Sequence, residues 1–334
     1  MNSERPSKKL KLDINVYKAF VNLVQVIELG DTNEDVSNLL ENSLYINQIG
    51  LLGAVSNNFI FMAKNLLESY GADVNCEFPN GSYPLDLAFE NDSFEMVKML
   101  LEHGASTKCL DVDNLIALHF AAARNSLKIA KILLKYGANI EAKDSNNCSP
   151  LLHAVDHSNV KMVKFLIRNG ADLEATTSYD ETPLHLAVVE NHLEMATILI
   201  QNGANIEAKS CEGSSSLYRA VENNFFEMAK LLIENGANIN SENGMGGIPL
   251  IVAVSNSNTK MAELLIRNGA NTDEEEIGVC FLHIAMNLQD DEMVRILLQN
   301  GASLKIRDVN GDTPLEYALS DDRLDIAKVL MLPF

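Results

Sequence analysis

Three histidines, His119, His185 and His283, and five cysteines, Cys76, Cys109, Cys148, Cys211 and Cys280, are the side chains of this 334-residue chain best suited to acid–base, nucleophilic or metal chemistry. Imidazole titrates near neutrality and ligates metals through either ring nitrogen, and cysteine acts as the thiolate. The run Gly244-Met245-Gly246-Gly247 is a further candidate, because glycine-rich loops cradle phosphates. Such groups do chemistry only where the fold gathers a nucleophile, a base and an orienting partner, or several ligands around one metal. Which of these the chain achieves depends on how its elements space them.

The spacing is that of a repeat. Gly71, Gly104, Gly137, Gly170, Gly203, Gly236 and Gly269 stand 33 residues apart, and Gly301 follows after 32. Each precedes Ala and then Asn, Asp or Ser, and each closes an apolar stretch such as Met195, Ile198 and Leu199, where a left-handed residue ends a helix. A second ladder lies three residues ahead of the Pro of each unit, or of the residue in its place. It reads Gly81, Asn114, Asn147, Asp180, Gly213, Gly246, Gly278 and Gly311, all types that tolerate positive φ, so a tight turn is expected in eight successive units. Between the ladders run two short helical patterns, for example Leu184 to Val189 and Leu193 to Gln201, and Pro183 suits a helix start. Each unit thus reads helix, turn, helix, extended hairpin loop.

Residues 180–210, DETPLHLAVVENHLEMATILIQNGANIEAKS, resemble the unit of the ankyrin-repeat family, which carries Thr-Pro-Leu-His, a central Gly-His and a closing Gly-Ala-Asp-Val-Asn. Ser214-Ser215-Ser216 replaces the Thr-Pro region in one unit, and Phe281 stands for Pro in another. The resemblance implies an all-α solenoid of about ten stacked helix-turn-helix units joined by β-hairpin loops. The units expected are a basic, disordered arm at 1–13, a divergent N-terminal capping repeat at 14–47, and repeats at 48–78, 79–111, 112–144, 145–177, 178–210, 211–243, 244–275, 276–308 and 309–334. Val329, Leu330, Met331 and Phe334 make a poor polar cap, so more chain is expected beyond Phe334.

This frame decides against chemistry. His119 and His185 occupy one slot two repeat lengths apart, and stacked repeats step by about 10 Å, so a shared metal with bonds of about 2 Å is excluded. The resemblance implies instead that this His hydrogen-bonds locally and holds the turn before its helix. Cys76 and Cys109 also share a slot, about 10 Å apart, too far for a disulfide, and are read as free thiols. No Lys-Ser/Thr follows the glycines at 244–247, which are read as a flexible hairpin tip. We expect no enzyme, no cofactor and no metal.

Composition narrows the partner. With 47% hydrophobic residues the chain has ample core, and 26 Lys and Arg against 46 Asp and Glu give a net charge of −20, which opposes nucleic-acid binding. Scattered, odd-numbered cysteines fit a reducing intracellular compartment. No apolar run approaches about 18 residues, and the basic N-terminus lacks the apolar core of a signal peptide. The expectation is a soluble cytoplasmic or nuclear protein, with no membrane partner and no small-molecule substrate.

The resemblance implies that hairpin tips and first helices form a concave face that binds proteins. Forty such positions in the eight clear units carry ten acidic residues and one basic, Arg124, nearly half of the net charge. Glu90, Asp113, Asp156, Glu181, Glu190, Glu212 and Glu222, with Tyr179 and Val189 among them, are the candidate partner-binding residues; Glu276, Asp312 and Asp321 complete the acidic set. Two basic features stand apart. Lys8, Lys9 and Lys11 in KKLK resemble a short nuclear-import signal, or belong to a solvated arm. Lys128, Lys131 and Lys135, matched by Lys161, Lys164 and Arg168, form an outer basic patch or an ordinary solvated helix surface. The function expected is a non-enzymatic scaffold or adaptor that binds a basic protein segment. The alternatives are an inhibitor masking the nuclear-import signal of a transcription factor, and the targeting arm of a longer protein with an effector domain beyond residue 334.

Overall fold

A helix that stops after seven residues needs a defined start and stop, and the repeat supplies both. Helix α9 (Pro183–Val189) opens on proline behind Thr182, whose extended backbone (φ −79°, ψ 167°) sets the entry. It closes at Glu190, Asn191 takes a left-handed φ of 50°, and the His192 N–H donates back to the Ala187 carbonyl at 2.8 Å. The paired helix α10 (Leu193–Gln201) is capped by His192, whose Nδ1 accepts from the Met195 N–H at 3.2 Å. It ends at Gly203 with φ 94°, and the Ala204 N–H donates to the Leu199 carbonyl at 3.1 Å.

In the computed structural model this pattern recurs in nine helix pairs among the described residues, which are 44–77, 83–107, 117–272 and 281–331. All eight expected helix-ending glycines have positive φ, as do the turn residues Asn147, Asp180, Gly213, Gly246 and Gly311; Gly81, Asn114 and Gly278 lie outside the described residues. A third left-handed ladder, not anticipated, joins the helices of each pair at Asn58, Asp92, Asn125, Ser158, Asn191, Asn224, Ser257, Gln289 and Asp322. Six of the nine are Asn or Asp, which reach this conformation at lower cost than other residues with a Cβ.

The chain forms two compact units, Met1–Ser145 and Asn146–Phe334. In the first, the pairs are α1 (Leu44–Ser56) with α2 (Ile60–Glu68), α3 (Pro84–Glu90) with α4 (Phe94–Glu102), and α5 (Ala117–Ala123) with α6 (Leu127–Lys135). The second begins with α7 (Pro150–Asp156) and α8 (Val160–Arg168), followed by α9 and α10. It continues with α11 (Ser216–Glu222) and α12 (Phe226–Glu234), then α13 (Pro249–Ser255) and α14 (Thr259–Arg267). It ends with α15 (Phe281–Asn287) and α16 (Asp291–Gln299), then α17 (Pro314–Ser320) and α18 (Leu324–Leu330). Within it, successive first helices pack on one another from α7 to α17.

The core is as periodic as the turns. Met162, Met195, Met228, Met261 and Met293 occupy one slot of the second helices and are fully buried, as are Leu166, Leu199, Leu232, Leu265 and Leu297 in another. Burying each such side chain stabilises by about 1.5–3 kcal/mol. Ala154, Ala187, Ala220, Ala253 and Ala285 are likewise buried, and a larger side chain there would overpack the closely apposed pair.

The loops depart from the expected β-hairpins. Among the described residues there is no strand; these tips are each closed by one backbone bond between their arms, from Thr177 N–H to Glu181 O at 3.0 Å, Ser210 to Ser214 at 3.1 Å, and Asn243 to Gly247 at 2.9 Å, and by a second inside the turn, from Asp180 to Thr177 at 3.1 Å, Gly213 to Ser210 at 2.7 Å and Gly246 to Asn243 at 3.0 Å. Arms this short cannot build a ladder, since an isolated two-stranded hairpin is marginal even at full length.

Candidate protein-binding face

The second unit presents its tips as a hydrogen-bonded row. Ser178 N–H donates to Asn146 O at 2.9 Å, Cys211 N–H to Tyr179 O at 3.0 Å, and Gly244 N–H to Glu212 O at 2.8 Å, so four consecutive tips are tied rung by rung. The rung at Gly213 explains its residue type, because a Cβ there would lie 2.6 Å from the Gly244 nitrogen. The loop glycines at 244–247 thus build a tip, with Met245 92% exposed at its end.

On this row Tyr179 is 66% exposed and Glu212 is exposed beside it in the next tip. Glu181 is half-buried and ties its own turn, its N–H donating to Thr177 Oγ1 at 3.3 Å. Asp156, Val189 and Glu222 end α7, α9 and α11 in one slot and are exposed; Glu190 caps α9 and is exposed too. His157 Nδ1 lies 3.5 Å from the Asp156 carboxylate. Glu90 ends α3 in the first unit, where Arg124 Nη1 donates to the Phe89 carbonyl at 2.5 Å and the Glu90 carbonyl at 3.3 Å. Asp113, Lys8, Lys9 and Lys11 lie outside the described residues.

Charge counting by slot missed Arg219. Its Nη2 donates to Glu212 Oε2 at 2.5 Å and its Nη1 to Glu222 Oε2 at 3.1 Å, so one guanidinium joins a tip carboxylate to a helix-end carboxylate. This pairing places tip and helix end on one surface, and it partly neutralises two of the candidate partner-binding acids. Burial alone would lower the Arg219 pKa, but hydrogen bonds and charge from Glu222 and Glu212 prevail and raise it. The nearby Tyr218 hydroxyl is shifted up by burial and by Glu222, against Arg219. The i, i+3 spacing of Arg219 and Glu222 on one helix was a readable signal for half of this arrangement.

The chemistry-bearing residues serve structure. His185 Nδ1 accepts from the Thr182 N–H at 3.3 Å and faces Thr182 Oγ1 at 2.9 Å; that leaves the proton on Nε2, which donates to the Ser214 carbonyl at 3.3 Å. His119 Nε2 bonds the Ala142 carbonyl at 3.1 Å. His283 departs from the expected role, since both its ring nitrogens are buried without a hydrogen-bond partner among the described residues. In its unit the position of Thr182 is taken by Cys280, which has no hydroxyl to offer. Cys76 and Cys211 are free thiols, and Cys148 Sγ donates to the Asn146 carbonyl at 3.6 Å; Cys109 lies outside the described residues. Burial, reinforced by Asp73, pushes the Cys76 thiol up to about 11, away from reactivity. Among the described residues no group of three or more His, Cys, Asp or Glu could hold a metal, and no helix is long and apolar enough to cross a membrane.

Comparison with known proteins agrees with this architecture. The family profile for ankyrin repeats, described as three copies, matches residues 51–144, 139–210, 182–243, 207–276 and 250–333. The chain is similar to the ankyrin repeat domain of Bcl-3, described as a unique member of the IkappaB protein family, at 28% identity and a TM-score of 0.60, covering 64% of this chain and 96% of that one. A 54-residue stretch is 41% identical to the ADP-ribosylation factor GTPase-activating protein AGD4 of Arabidopsis thaliana, which is 16% of this chain and spans only 7% of that relative's length. Ankyrin arrays are protein–protein interaction modules and are generally non-enzymatic. With the profile matched almost end to end from residue 51, the chain belongs to the ankyrin-repeat family.

Proposed function

We propose that the second unit captures a basic segment of another protein on the surface made by its tips and first-helix ends. The carrying observation is the Glu212–Arg219–Glu222 arrangement, in which acids from a tip and a helix end converge on a guanidinium, the group a basic partner would bring. Exposed Asp156 and Glu190, with half-buried Glu181, extend negative charge over the neighbouring repeats, and Tyr179 supplies an amphipathic anchor. A second reading keeps the same chemistry: a nuclear-import signal is itself a short basic segment, and the likeness to an IkappaB-family domain supports masking of such a signal.

The test uses a labelled nine-residue arginine-rich peptide, with association followed by stopped flow. Changing Asp156, Glu190 and Glu222 together to Lys should slow association by about tenfold or more, since facing charges act on encounter. Tyr179→Ala should cost about 2 kcal/mol of affinity, the threshold of an interface hot spot. The control is Glu194 and Glu227, both exposed on second helices, changed to Lys. Equal slowing by both sets would leave only global charge and overturn the assignment to this face.

A further inference from the structure

We infer that the partner crosses α9, α11 and α13 as an extended strand, with one basic residue flanked three positions away on each side by an apolar residue. The inference rests on the proposed function and adds the partner's conformation and spacing. Its basis is a row of first-helix positions 33 residues apart, Leu186, Arg219 and Val252, each half-buried, of which only Arg219 is charged. The tips repeat the order, with exposed Tyr179 seven residues ahead of Leu186 and exposed Met245 seven ahead of Val252, the same step that separates Glu212 from Arg219 in the tip between them. Three successive repeats therefore offer apolar, acidic and apolar ground.

The acidic station has room for one more cation. Among the described residues each carboxylate meets Arg219 through Oε2 alone, and both side chains are well exposed, 62% for Glu212 and 43% for Glu222. A carboxylate accepts at both oxygens, so Arg219 aims the pair while the two Oε1 atoms face a partner's Arg or Lys. The width argues for an extended chain: one guanidinium spans the gap between tip and helix end, narrower than the roughly 10 Å diameter of a helix with its side chains. The length fixes the spacing, since repeats step by about 10 Å and an extended chain rises about 3.3 Å per residue, three residues for each repeat. The stripe of apolar stations thereby becomes specific, because a partner with the right charge and the wrong spacing leaves its apolar side chains in water.

The experiment is selection of random twelve-residue peptides, displayed on phage, against the intact 334-residue protein at physiological salt. Enriched peptides are expected to carry Arg or Lys with Leu, Ile, Met, Phe or Tyr at both −3 and +3. A synthetic peptide of that consensus should bind about tenfold more weakly to the Tyr179→Ser, Met245→Ser double variant, whose exposed side chains leave folding unaffected. It should also lose about tenfold when one residue is inserted between its basic and apolar positions. Basic peptides with no spacing preference, or with apolar residues six or seven apart as on a helix, would overturn this inference and leave the proposed function standing. Enrichment of non-basic peptides, or none at all, would overturn both.

Discussion

His185 and His283 stand at the third position of α9 and α15, in the same unit of the chain, and are 1% and 7% exposed. His185 is bonded at both nitrogens, to Thr182 and to the Ser214 carbonyl of the next repeat. Among the described residues His283 is bonded at neither and instead meets the Tyr317 ring edge-on, with centroids 5.5 Å apart. The same residue in the same slot is thus a clamp in one repeat and a packed ring in another. A repeat position inherits its role from the sequence around it: three residues ahead of His185 stands Thr182 with its hydroxyl, and three ahead of His283 stands Cys280, which has none.

The largest expected difference between the two corners comes from removing the clamp. His185→Ala strands the Thr182 N–H and takes a donor from the Ser214 carbonyl in a buried setting, a loss of about 2–3 kcal/mol. Because arrays of repeats lose cooperativity between neighbours, the local readout is better than a global midpoint. Amide exchange at Thr182 should accelerate by about thirtyfold or more, as a 2 kcal/mol loss implies. An unchanged exchange rate would show that the bonds contribute nothing and would erase the contrast.

Acidification sharpens the comparison with a smaller effect. Burial lowers the His185 pKa most, the bond to the Ser214 carbonyl opposes it, and Arg219 and Lys209 lower it further, leaving a folded value below the ordinary 6.5. The unfolded chain therefore takes up a proton near pH 6.5 that the folded chain refuses. The stability tied to the neutral ring is fully present above that pH and is lost as pH falls through the folded value. Between pH 7 and pH 5 the wild-type chain should lose stability more steeply than His185→Gln, which keeps an amide donor and acceptor but cannot titrate. Parallel pH profiles from urea unfolding would refute the assignment.

Most of the frame behind these corners was readable as sequence because each of its parts is a local requirement. Pro183 and Gly203 mark where a helix starts and stops whatever surrounds them, and α9 and α10 fall within one residue of the helical patterns read between those marks. The third left-handed ladder was equally local, and Asn or Asp at six of its nine positions could have revealed it. Arg219 was hidden for a different reason. Its second partner, Glu212, sits seven residues upstream on a loop tip, and only the return of that tip toward the end of α11 brings them together. The isolated ring of His283 was hidden likewise, since its motif reads almost as that of His185. Candidate site positions were therefore legible as slots, and their pairing was not.

The smallest effect is expected at the second corner. His283→Leu replaces a buried ring, whose nitrogens find no hydrogen-bond partner among the described residues, with an apolar side chain of similar reach. Burying polar groups without partners is unfavourable, so their removal is a gain. Against it stands the edge-on contact with Tyr317, of a kind that contributes about 0.5–1.5 kcal/mol, and some packing mismatch between ring and branched chain. Asp308, whose carboxyl is held low mainly by the Asp312 N–H and in small part by His283, keeps its own turn bonds from Asn310 and Asp312 in the variant. The opposing contributions are of similar size, and the unfolding free energy should stay within about 1 kcal/mol of wild type. The comparison breaks if His283→Leu costs as much as His185→Ala, because a loss of 2 kcal/mol or more would mean that the imidazole holds a bond in solution and that both corners are clamps after all.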